Sequence, residues 1–97
     1  MGRVHKHAAA KRDLVEHFVY LSENAGLDVA DHFLLQADES FSDVASHPAL
    51  GVELALLKAE VAGMRKWHVK GFEKFLSFYR PGKDGISIVR VSHAAQD

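Results

Sequence analysis

The stretch that decides the fold is Arg65-Lys66-Trp67-His68-Val69, then Lys70-Gly71, then Phe72-Glu73-Lys74-Phe75-Leu76-Ser77-Phe78-Tyr79-Arg80, then Pro81-Gly82-Lys83-Asp84-Gly85, then Ile86-Ser87-Ile88-Val89-Arg90-Val91. After Gly63 the side-chain period is two: Arg65, Trp67 and Val69 share one face, and Met64, Lys66, His68 and Lys70 share the other. Lys70-Gly71 marks a tight hairpin turn, and the Pro-Gly-Lys-Asp-Gly run supplies a second turn. Phe72 to Arg80 carries aromatics on both faces, as a central strand does. Three strands in an antiparallel meander follow from this reading.

Upstream the period changes to that of a helix. Leu14, Phe18 and Leu21 recur at spacings of four and three, which predicts an amphipathic helix over about 8–24. Asn24-Ala25-Gly26 suits a helix end, and Asp28 is placed to cap a new helix start. A second helix carries Ala30, Phe33, Leu34, Ala37, Phe41, Val44 and Ala45 on one stripe and stops before Pro48. Arg3 to His7 reads as a short strand with Val4 its one strong strand former, and Gly51 to Ala62 stays open between a short helix and an ordered connection. The expected architecture is one α+β domain over residues 1–97, ordered β-α-α-β-β-β, an antiparallel sheet with a helical hairpin packed on one face.

A chain of 97 residues, 47% apolar and 26% charged, supports one core. It buries only roughly 60 to 65% of its unfolded surface, so a tight partner adds substantially to its stability. The absence of cysteine excludes disulfides, thiolate zinc sites and thiol chemistry. No apolar run approaches the length of a membrane span and no apolar core follows the basic N-terminus, so a cytoplasmic, non-membrane protein is expected. Net charge is −1, but residues 1–50 hold four Lys/Arg against eight Asp/Glu while residues 51–97 hold eight against five. The second half therefore favours an anionic partner, an acidic protein segment or RNA.

Nucleotide-binding glycine loops, a nucleophile elbow and a paired-histidine zinc helix are all missing, so no cofactor is implied. His17, His32 and His47 lack the helical spacing of a metal site, and His5 and His7 share a strand face without a carboxylate beside them, so no metal is expected either. Arg65, His68, Arg80, Arg90 and His93 fall on strands that a sheet can bring together. Such a group can hold phosphate and move a proton, or its arginines can serve only as salt-bridging residues at strand ends. Trp67, Phe72, Phe75, Phe78 and Tyr79 can stack on bases or fill a half-buried sheet; their spacing alone does not choose.

The segments His7-Ala8-Ala9-Ala10-Lys11-Arg12-Asp13-Leu14, Ala45-Ser46-His47-Pro48-Ala49-Leu50-Gly51, Gly71-Phe72-Glu73 through Phe78-Tyr79-Arg80, and Gly85 through Arg90-Val91-Ser92-His93 to Asp97 stand in the order of a known family. The chain resembles a ParE-type toxin of the RelE/ParE toxin-antitoxin superfamily. The resemblance implies a β-α-α-β-β-β fold and a bacterial pair in which a small ParD-like antitoxin wraps the toxin with an amphipathic C-terminal segment. A groove on the helical hairpin, formed by Leu14, Phe18, Leu21, Phe33 and Ala37, would take the apolar face of that segment, and the basic half would attract its acidic residues.

ParE-like members poison DNA gyrase, and RelE-like members cut messenger RNA on the ribosome; fold alone does not separate them. The resemblance lies nearer ParE, which implies a non-enzymatic gyrase inhibitor. The alternatives are a metal-independent ribonuclease, for which Arg65, Arg80, Arg90 and His93 would be the catalytic set, and an inactive relative that only binds antitoxin. The tail ends Gln96-Asp97 where ParE-like chains often carry Arg-Asp, which departs from the family pattern.

Overall fold

A computed structural model of the chain describes residues 2–54 and 63–94. β1 (Arg3–Lys6) leads into α1 (Ala8–Asn24) and α2 (Leu27–Ser46), followed by β2 (Val52–Glu53), β3 (Arg65–Val69), β4 (Phe72–Pro81) and β5 (Gly85–His93). The short strand β2 answers the start of the segment left open between helix and connection; residues 55–62 lie outside the described residues, as does the Gln96-Asp97 tail.

α1 forms where the sequence places it, and its buried residues Ala10, Asp13, Leu14, His17 and Leu21 follow helical spacing on one face. At its end the Ala25 and Gly26 amides both donate to the Leu21 carbonyl, at 2.7 and 3.0 Å. Gly26 then takes φ 103°, a left-handed conformation open to glycine, and α2 starts at once. Asp28 therefore sits in the first turn of α2 and makes no cap hydrogen bond, a correction to its expected capping role; its charge still complements the helix N-terminus. α2 ends at Ser46, with His47 and Pro48 beyond it.

The strand order is β1-β5-β4-β3-β2. β3, β4 and β5 form the antiparallel meander, and Gly71 (φ 78°) supplies the left-handed residue of the β3–β4 turn. β1 departs from the antiparallel expectation: it pairs with β5 in parallel, Arg3 opposite Gly85 and Lys6 opposite Ile88, so the sheet is mixed. The meander leaves the outer edge of β5 open, and a segment entering the helical hairpin closes that edge in the same direction. Gly85 makes this possible, because a Cβ there would collide with the Arg3 backbone.

A bulge sets the inward pattern of β5. Phe78 stands opposite Arg90 and Tyr79 opposite Ile88, leaving Val89 as the extra residue. Ile86 and Ile88 before it, and Val91 and His93 after it, are thereby all buried. The core lies between the helical hairpin and this sheet face, where Phe33, Phe41, Val44, Val69, Tyr79, Ile88 and Val91 are fully buried. Each large apolar side chain taken from water contributes about 1.5–3 kcal/mol.

Candidate functional site

The expected helix groove is present, but its lining differs from the expected set. Leu14, Val15 and Phe18 of α1 and Leu34 of α2 line an open apolar depression of about 220 Å³. Phe33 and Ala37 do not line it and are 0% and 1% exposed, and Leu14 and Leu21 are buried in the same core cluster with only Phe18 partly open. Val15, which lines it, and Val19, Leu27 and Leu35 elsewhere on the two helices project apolar side chains into solvent, Leu35 with 68% of its surface exposed.

The four polar candidates do not converge. Arg65 donates to the Gly51 carbonyl at 2.7 Å and stands 3.8 Å from Glu53, which ties the start of β3 to the segment after α2. In the same corner the Tyr79 hydroxyl donates to the Pro48 carbonyl and accepts from the Gly51 amide, both at 2.8 Å. Burial raises the Tyr79 pKa, opposed by the Gly51 hydrogen bond and the Arg65 charge. Arg80 stands one residue further along β4, opposite Ser87. His93 lies opposite Phe75 at the other end of the strand pair, about 17 Å away at ~3.3 Å per residue.

His93 is buried and stacked on Phe75 with ring centres 4.2 Å apart, beside Tyr20 at 5.1 Å and His17 at 6.2 Å. Its Nδ1 is buried without a hydrogen-bond partner. Arg90 is committed to Asp13 through two hydrogen bonds, Nε to Oδ2 at 2.7 Å and an Nη to Oδ1 at 2.9 Å.

Asp13 and His17, one turn apart on α1, form a contact that the sequence reading did not single out. Asp13 Oδ2 accepts the Val91 amide at 2.9 Å, and His17 Nε2 donates to the Val91 carbonyl at 2.7 Å, which places the ring proton on Nε2. β1 pairs with β5 only as far as Ile88, so two helix side chains satisfy both backbone groups of Val91 where a neighbouring strand would have done so. Burial alone would raise the Asp13 carboxyl. The hydrogen bonds from Arg90 and Val91, with the charges of Arg90 and His17, outweigh it and hold the pKa below its ordinary value. The same pairing raises Arg90.

Among the described residues no group of three or more His, Cys, Asp or Glu is arranged to hold a metal ion, and no helix is long and apolar enough to cross a membrane. No curated protein matches the chain in sequence. A solved structure described as the chromosomal ParDE TA system from P. aeruginosa contains a chain of the same fold, with a TM-score of 0.76, 16% identity and 96% of each chain covered. The family model described as the ParE toxin of type II toxin-antitoxin systems, parDE, matches residues 4–97. With nearly every residue inside that match and the β-α-α-β-β-β-β order that carries it, the chain belongs to the ParE toxin family.

Proposed function

We propose that this protein is the toxin of a type II pair, that it inhibits DNA gyrase in the cytoplasm without catalysing a reaction, and that a cognate ParD-like antitoxin neutralises it. Membership of the ParE toxin family over residues 4–97 carries this reading. The apolar depression of Leu14, Val15, Phe18 and Leu34 supports the antitoxin half of it, because an amphipathic segment needs such a groove for its apolar face.

The inhibitor reading is further supported by how the polar candidates are used. Metal-free RNA cleavage needs a base, an acid and a phosphate-binding cation around one reacting phosphate. Here Arg65 binds backbone carbonyls, Arg90 binds Asp13, and His93 is buried under Phe75 at the far end of the strands from Arg80. The test is induced expression with and without the antitoxin gene, reading DNA supercoiling and transcript integrity in the same cultures. Growth arrest with relaxed DNA, relieved by the antitoxin, is expected. Cut transcripts under normal supercoiling would replace gyrase with the ribosome and messenger RNA as target, and absence of arrest would leave an inactive antitoxin binder.

A further inference from the structure

Among the described residues the helices cover one face of the sheet, and the other face has a composition of its own. Cross-strand partners share a face, so the register places three rows of side chains opposite the core: Lys66, Phe78 and Arg90; His68, Leu76 and Ser92; and Arg80, Ser87 and His5. Their sequence neighbours Phe75, Ser77, Tyr79, Val91 and His93 are buried toward the helices. Phe78 and Leu76 are half-buried and take no part in the core cluster. No residue of the three rows is acidic.

The helical layer is the reverse. α1 and α2 carry Asp13, Glu16, Glu23, Asp28, Asp31, Asp38, Glu39 and Asp43 against only Lys11 and Arg12. Three of these carboxylates meet cations from the sheet and its turns, Lys6 with Asp38, Lys70 with Glu39 and Arg90 with Asp13, and the rows of the other face remain without an acid. On the face away from α1 and α2, adjacent strands about 4.8 Å apart put Lys66 beside Phe78, with Arg80 two residues further along β4, while Arg90, on the other flank of Phe78, turns its guanidinium to Asp13 of α1. An apolar centre within a basic rim is the anatomy of a protein contact.

We propose that this sheet face, opposite α1 and α2, is the surface with which the toxin grips its target, and that it takes an acidic protein surface with an apolar patch at its centre. The proposal rests on the reading of the chain as a toxin with a protein target. Nucleic acid is the weaker match on that reading of the target, and because Phe78, His68 and His5 are rings that can also stack on bases, the test includes DNA. The face also lies across the sheet from the helix groove, so target and antitoxin contacts are separable by mutation.

The experiment compares wild type, Lys66→Glu and Phe78→Ala in three measurements: affinity for purified gyrase holoenzyme, affinity for the antitoxin, and growth arrest on induction. Thermal melts check folding, and Lys66→Glu decides the matter if Phe78→Ala does not fold. Each variant is expected to lower gyrase affinity roughly tenfold or more and to weaken growth arrest, with antitoxin affinity unchanged. Full arrest and undiminished gyrase affinity in Lys66→Glu would overturn the proposal. So would loss of antitoxin binding in place of target binding, or binding of a short duplex or single-stranded DNA alone that both variants abolish. If wild type arrests growth without binding gyrase, the gyrase reading fails by itself, and retention or loss of arrest in the variants still decides the surface. A wild type that does neither overturns both.

Discussion

Replacing Asp13 with Ala removes three hydrogen bonds at once, and the cost divides by how wet each partner is. The Val91 amide is buried, so losing its acceptor leaves an unpaired donor, worth about 1–3 kcal/mol. The ion pair contributes less, about 0.5–1 kcal/mol, because the Arg90 side chain is 57% exposed and water takes over its donors. The total of about 1.5–4 kcal/mol lowers Tm by roughly 6–32 °C in a domain of this size. Arg90→Ala should cost only about 0.5–1 kcal/mol, because Asp13 can still accept the Val91 amide. Asp13→Asn should fall between the two, its amide oxygen keeping the Val91 bond without the charge. The assay is denaturant unfolding of the three variants with m unchanged. Equal losses in Asp13→Ala and Arg90→Ala would refute the reasoning, since they would put the energy in the exposed pair. Acidification adds a check: the folded pKa of Asp13 is depressed, so its contribution is fully present above the unfolded carboxyl pKa of about 4 and disappears as pH falls through the folded value. The gap between wild type and Asp13→Asn should be constant at neutral pH and close in acid.

Tyr79→Phe strips the hydroxyl that joins Pro48 to Gly51 and should cost about 1–3 kcal/mol in chemical denaturation; an effect within ±0.3 kcal/mol would mean that water replaces it. Gly85→Ala drives a methyl group into the Arg3 backbone, so β1 should detach: the His5 and His7 amides should exchange faster while those of β4 stay protected, as read by hydrogen exchange. Val15→Asp places a charge on the groove rim at a residue 63% exposed, so stability should change by less than about 0.5 kcal/mol while antitoxin affinity in calorimetry falls roughly tenfold or more. Unchanged affinity there would move the antitoxin contact off the groove.

Elements with a local period were legible in the sequence. α1, the α2 stripe, the Lys70-Gly71 turn and the meander all follow from spacings within a few residues. The parallel pairing of β1 was not, because nothing in Arg3 to Lys6 names a partner more than 80 residues away and no turn announces the direction. A two-residue strand such as β2 carries no period at all. For the helix groove, spacing found the apolar stripe but not its two sides: Leu14, Leu21, Phe33 and Ala37 look alike in sequence whether they face sheet or solvent. The partnership of Arg90 with Asp13 spans 77 residues. Asp13 and His17 did leave a signal, since an acid and an imidazole four apart share the helical face of Ala10, Leu14 and Leu21, where polar groups need a specific partner.

The dependence of β5 on α1 also governs the order of assembly. His17 and Asp13 meet Val91 across 74 and 78 residues, so the helical hairpin is made long before the strand that fixes it. At about 5–20 residues per second a ribosome needs roughly 4–16 s to supply that interval. Through that time the underside of α1 carries a carboxylate and an imidazole with no backbone to bind, and contacts so distant in sequence form late. The nascent toxin is therefore a pair of helices waiting for its last strand, and whatever binds the hairpin during synthesis meets it before the sheet is complete.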